Sequence, residues 1–76
     1  MVISGVVFET VAGRASAVAA RLANIDGLEI AGSDGDSRFA AVWRAQDGTA
    51  LQRAAEQLLN AEADILGIYP TFVGND

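Results

Sequence analysis

A chain of 76 residues with a net charge of −5, a pI near 4.3, no cysteine and no histidine has no disulfide staple and no thiolate or imidazole metal site to lean on, so apolar burial alone must hold it together near the lower size limit for independent folding. Its 51% hydrophobic fraction is enough for one core, and a single domain is expected over 1–76. The five arginines are scattered and lysine is absent, which leaves no basic patch for a nucleic acid and makes a basic partner the better match for the charge.

The first strand is predicted over Ile3 to Phe8, an apolar, β-branched run whose two faces both read as buried, which places it centrally in a sheet. Glu9 to Gly13 connects it to a helix over Arg14 to Ile25. There Ala15, Val18, Ala19, Leu22 and Ile25 recur at three- and four-residue spacing, while Arg14, Arg21 and Asn24 point outward. Gly27 suits the left-handed conformation that follows a helix. Gly27 to Asp47 then reads as a β-hairpin: Leu28-Glu29-Ile30-Ala31 alternates, Phe39 to Trp43 is mostly apolar, and Ser33-Asp34-Gly35-Asp36-Ser37 between them is rich in turn formers. Asp47 is placed to cap a second helix over Gly48 to Asn60, with Thr49 and Gln52 offering a competing capping box, and Leu51, Ala54, Ala55 and Leu58 form its apolar stripe.

The last strand begins at Ile65-Leu66-Gly67-Ile68-Tyr69. Pro70 inside that run cannot donate to a ladder, so the strand belongs at an edge. Strand, helix, strand, strand, helix, strand is the split βαβ order. It predicts an α+β, ferredoxin-like βαββαβ fold, with a four-stranded antiparallel sheet in the order 4-1-3-2 and two helices on one face. No run approaches the roughly 20 apolar residues of a membrane span. Met1-Val2-Ile3-Ser4 leads straight into a strand without the pattern of a signal peptide, so a cytoplasmic location is expected.

Two helices on one face leave the other face of the sheet open. Counting by two assigns Ile3, Gly5, Val7, Ala31, Ser33, Ala40 and Val42 to the open side, with Tyr69 and Thr71 from the last strand. Phe39, Ala41 and Trp43 then lie under the helices. The candidate site is therefore an apolar patch of Ile3, Val7, Ala40, Val42 and Tyr69 with a rim of Glu9, Glu29 and Arg44, a feature that marks binding more often than catalysis.

The residues for chemistry are missing. Without histidine or cysteine no nucleophile and base can be paired, and no serine sits in a nucleophile elbow. Asp34 and Asp36 resemble half of a calcium loop, but its twelfth position is Ala45 rather than a glutamate. The glycines never form a phosphate-cradling motif, and Phe8, Phe39 and Trp43 read as core rather than as a stacking platform for RNA. No catalytic residue, metal or cofactor is assigned, and the chain is expected not to be an enzyme.

Four segments carry a resemblance: Ile3-Ser4-Gly5-Val6-Val7, Asp26-Gly27-Leu28-Glu29-Ile30, Arg44-Ala45-Gln46-Asp47 and Ile65-Leu66-Gly67-Ile68. In order and spacing they resemble the NapD family, small cytoplasmic chaperones for the periplasmic nitrate reductase. Gln46 stands where family members tend to have an acid, and Pro70-Thr71-Phe72-Val73 replaces their usual ending. The resemblance implies binding of the twin-arginine signal peptide of the nitrate reductase catalytic subunit, which holds back export until the cofactors are inserted. No nucleic-acid partner and no membrane span are expected, and the chain is expected to be a monomer or weak dimer. A regulatory domain of the ACT type, binding a small molecule near Val11-Ala12-Gly13, is the alternative on the same fold, and a bare interaction domain is a third.

Overall fold

In the computed structural model, which describes residues 1–75, the elements follow in the predicted order: β1 (Val2–Thr10), α1 (Ala15–Leu22), β2 (Leu28–Ser33), β3 (Arg38–Ala45), α2 (Gly48–Ala61) and β4 (Ile65–Asn75). The strands make one antiparallel sheet in the order β2-β3-β1-β4, with both helices packed on one face, which is the ferredoxin-like fold. β1 is central. It pairs with β3 without a break from Val2↔Ala45 to Glu9↔Arg38, and with β4 from Val2↔Asn75 to Thr10↔Ile65.

The core lies between sheet and helices. Phe8 and Phe39 stack at 4.7 Å with planes 8° apart, and Trp43 sits 6.0 Å from Phe8. Val18 and Leu22 of α1, with Leu28 and Ile65, close around them. An aromatic pair of this kind contributes about 0.5–1.5 kcal/mol beyond its burial. α2 is less committed: its stripe of Leu51, Ala54, Ala55 and Leu58 is only half-buried.

Some boundaries differ from the sequence reading, each for a local reason. β1 continues through Glu9 and Thr10 because Thr10 pairs with Ile65 and its amide donates to the Ser37 carbonyl at 2.7 Å. α1 ends at Leu22 rather than Ile25. The Ile25 amide donates back to the Leu22 carbonyl at 3.0 Å, and Gly27, at φ +82°, turns the chain into β2. Ile25 still packs on the core. Asp47 takes the cap of α2, accepting the Ala50 amide at 2.8 Å, in place of the Thr49–Gln52 box. β4 runs through Pro70 to Asn75 as an edge strand, as the proline within it requires.

The two turn carboxylates hold the hairpin tip. Asp34 Oδ1 accepts the amides of Asp36, Ser37 and Arg38 at 2.8, 3.1 and 3.1 Å. Asp36 accepts the Gly13 amide at 2.7 Å, which ties the tip to the first loop. The amides of Asp36 and Arg38 hold the Asp34 carboxyl below its ordinary value of 3.8.

A depressed folded-state value means that Asp34 contributes its full stabilisation above that ordinary value and loses it as pH falls through the folded one. Melting temperatures measured across the acid range should therefore fall less steeply in Asp34→Asn than in wild type. Trp43→Ala should cost about 3 kcal/mol, the low end for such a truncation, because one side of the ring borders open space. Chemical denaturation checks this, and an unchanged midpoint would remove Trp43 from the core.

Candidate functional site

Register decides which residues share the uncovered face. Ile3, Gly5, Val7 and Glu9 stand opposite Arg44, Val42, Ala40 and Arg38 on β3, and Glu29 of β2 stands opposite Val42. On the other side of β1, Val7 meets Tyr69 and Gly5 meets Phe72. Phe8, Phe39 and Trp43, of opposite parity, are buried beneath the helices. The residues singled out from sequence (Ile3, Val7, Glu9, Glu29, Ala40, Val42, Arg44 and Tyr69) thus come together on the open side. Ile3, Val7, Ala40 and Val42 are half-buried there, and Tyr69 is 52% exposed.

Three members were not foreseen, and irregular register accounts for two of them. The pairing of β4 with β1 shifts between Gly5 and Val6, where Val6 meets Pro70 and Gly5 meets Phe72, leaving Thr71 as the extra residue of a bulge. Counting by two from Tyr69 turns Phe72 inward; the bulge turns it outward, 56% exposed, with its ring across Gly5. A Cβ on Gly5 would overlap that ring and the Thr71 hydroxyl. The Ser4 hydroxyl, on the buried side, donates to the Phe72 carbonyl at 3.0 Å and pins the bulge. A second shift in β2, between Ile30 and Gly32, leaves Ala31 as the extra residue, gives the open-face place opposite Ala40 to Gly32 and moves Ser33 opposite Phe39, which corrects the assignment of Ser33. The third is Arg38, which parity alone predicts once β3 is extended by one residue.

The rim is not acidic. Glu9 pairs with Arg38 at 3.6 Å and accepts the Tyr69 hydroxyl at 3.3 Å, and Glu29 pairs with Arg44 at 3.7 Å. Two carboxylates and two guanidiniums leave the face balanced. Arg14 and Arg21 are likewise matched by Glu62 and Asp64 across the turn before β4. Among the described residues the acidic excess lies at the ends of the hairpin, in Asp26, Asp34, Asp36 and Asp47, while on α2 Glu56 is offset by Arg53.

A second concavity, a cleft of about 300 Å³, lies on the other side of the sheet between α2 and β4. Trp43, Leu51, Ala55, Ile68, Pro70 and Val73 give it an apolar lining. Among the described residues no group of three or more His, Cys, Asp or Glu side chains is placed to hold a metal ion, and no helix is long and apolar enough to cross a membrane.

No protein-family model matches the chain, and no curated protein does. Among solved structures it is similar to the solution structure of the E. coli Tat proofreading chaperone protein NapD, with a TM-score of 0.78 and 23% identity, over 97% of this chain and 78% of that one. The two share a fold. The order of elements belongs to that shared fold, while the arginine-balanced rim and the Phe72 bulge are features of this chain.

The Gly5–Phe72 contact makes a direct prediction. Gly5→Ala should destabilise the protein by about 1–3 kcal/mol through overpacking. In a Phe72→Ala background the same change should cost clearly less, with the Thr71 hydroxyl the remaining obstacle, a coupling that a double-mutant cycle from denaturation curves measures.

Proposed function

We propose that this protein is a chaperone that binds the twin-arginine signal peptide of a periplasmic nitrate reductase catalytic subunit and holds back its export until the cofactors are inserted. The observation that carries the reading is the open face. Half-buried Ile3, Val7, Ala40 and Val42, with exposed Tyr69 and Phe72, offer an apolar strip along two central strands and one edge. A monomer with no second use for such a strip would leave it in water at a cost. The fold shared with NapD supports the same reading, as does the resemblance of Asp26 to Ile30 and Ile65 to Ile68 to that family.

A signal peptide with an apolar segment that can become helical suits this surface, because its apolar side docks on the strip while its arginines reach the rim. Glu9 and Glu29 are the groups for those arginines. Each already holds an arginine of this chain at a loose 3.6–3.7 Å, so an incoming guanidinium exchanges for Arg38 or Arg44 rather than filling an empty site. Apolar contact therefore supplies the affinity, and the carboxylates supply orientation.

The ACT-type alternative is the less favoured one. The Gly13 amide in the first loop is already held by Asp36 at 2.7 Å, so a ligand there would have to displace that carboxylate.

Val42→Asp tests the face. The variant should stay folded, with a small loss of stability from a carboxylate opposite Glu29. It should bind the signal peptide at least about tenfold more weakly, equivalent to about 1.4 kcal/mol, because docking buries an unpaired charge. Val18→Asp, in the core, should unfold the protein instead. Calorimetric titration with circular dichroism separates the two, and a folded Val42→Asp that binds like wild type contradicts the proposal. A further titration reads the rim. Wild-type affinity should change little with salt, whereas Arg38→Gln/Arg44→Gln, with both carboxylates freed, should bind the peptide more tightly and with a steeper loss of affinity as salt rises.

A further inference from the structure

The two carboxylates of the rim sit in different rows of the sheet. One row crosses all four strands as Glu29, Val42, Gly5 and Phe72, successive partners on β2, β3, β1 and β4. An acid stands at its β2 end and an exposed aromatic ring at its β4 end, and that ring lies across Gly5. The other row runs Arg38, Glu9 and Gly67 on β3, β1 and β4, with the Tyr69 ring across Gly67. Its acid lies in the middle. The partners differ as well. Glu9 accepts the Tyr69 hydroxyl on Oε1 and pairs with Arg38 through Oε2, so both neighbouring strands hold it, and its side chain is 33% exposed. Among the described residues Glu29 pairs with Arg44 alone, through Oε2 at 3.7 Å, and its side chain is 74% exposed. An incoming guanidinium therefore displaces one loose, solvent-screened contact at Glu29, but an ion pair and a hydrogen bond at Glu9. The fork of a guanidinium also needs both carboxylate oxygens, and Glu29 already presents Oε1 before Arg44 moves.

We propose that Glu29 is the residue that distinguishes arginine from lysine in the bound peptide, and that it docks the peptide in one direction, with the arginines at β2 and the apolar segment running across β3 and β1 to Phe72 on β4. The proposal rests on the open face being the signal-peptide receptor and ranks its two carboxylates. Lengths agree with it. Three strand spacings separate β2 from β4, about 14 Å in all, and about ten helical residues cover that distance at a rise of roughly 1.5 Å each. A signal peptide places its basic residues before an apolar run of about 7–15 residues, so one such run fits the row. The reverse direction would bring the arginines to β4, where Ile65–Asn75 contains no charged side chain, and would lay apolar residues over the exposed Glu29 carboxylate.

Two measurements test this. The protein has no cysteine, so a nitroxide on a single cysteine of a synthetic signal peptide labels the peptide alone. Placed just before the arginine pair, the label should broaden the amide resonances of Glu29, Val42 and Arg44 most. Placed just after the apolar segment, it should broaden those of Tyr69, Thr71 and Phe72. In calorimetric titration the wild type should bind the arginine-pair peptide at least about fivefold more tightly than its lysine-pair counterpart. Glu29→Gln should shrink that preference to within about twofold, and Glu9→Gln should keep it. The labels read the wild-type protein, so they decide the direction even if a variant fails to fold. Broadening on the open face in the reverse sense would overturn the proposal and leave the receptor reading standing. So would a preference that is absent from the wild type, survives Glu29→Gln, or is lost equally in Glu9→Gln. Broadening confined to the helices would overturn both.

Discussion

The double pairing of β1 is the constraint from which the rest of the molecule takes its position. A strand hydrogen-bonded on both sides must place its alternate residues on two different surfaces, and the helices here cover just one of them. Phe8, stacked on Phe39, is committed to the covered side, with Val6 and the buried Ser4. Ile3, Val7 and Glu9 are thereby committed to the other. The break-free pairing with β3 carries that division across to Ala40, Val42 and Arg44, so the candidate site is the geometric remainder of building the core.

The β4 side of the sheet is where that regularity is relaxed. Pro70 cannot donate to a ladder, and the chain absorbs it with a bulge that turns Thr71 and Phe72 toward the open face together. Glycine at position 5 accepts the Phe72 ring where a larger residue would collide with it, and Tyr69 lies across Gly67 in a similar way. Backbone exposed by each glycine is thus covered by an aromatic ring, and the rings extend the apolar strip to the edge. The bulge that widens the open face is pinned from the core side by the Ser4 hydroxyl, which explains a buried serine in an otherwise apolar strand.

Most of the fold was legible because local signals agreed with one another. The spacing of Ala15, Val18 and Leu22, the cap at Asp47 and the turn residues between Ile30 and Phe39 all pointed to one order of elements, and parity from Glu9, Glu29 and Arg44 placed the open face. What parity cannot carry is an extra residue. Each bulge reverses it, which is why Phe72 was missed and Ser33 was misassigned; Pro70 was the available signal for the first. The basic partner was an inference from net charge, and net charge does not say which carboxylates already have partners. Arg38 and Arg44 neutralise the face because cross-strand neighbours meet in the sheet, a contact set by register between distant segments.

The account stands on one claim, that the uncovered sheet face is the receptor and the cleft and helices are not. Titrating isotopically labelled protein with the signal peptide, and following each backbone amide by nuclear magnetic resonance, tests it most directly. The account predicts that the largest shifts fall on β1, β3 and β4 around Ile3, Val7, Val42, Tyr69 and Phe72. Shifts confined to α1, α2 and the residues lining the cleft, with β3 unmoved, would contradict it.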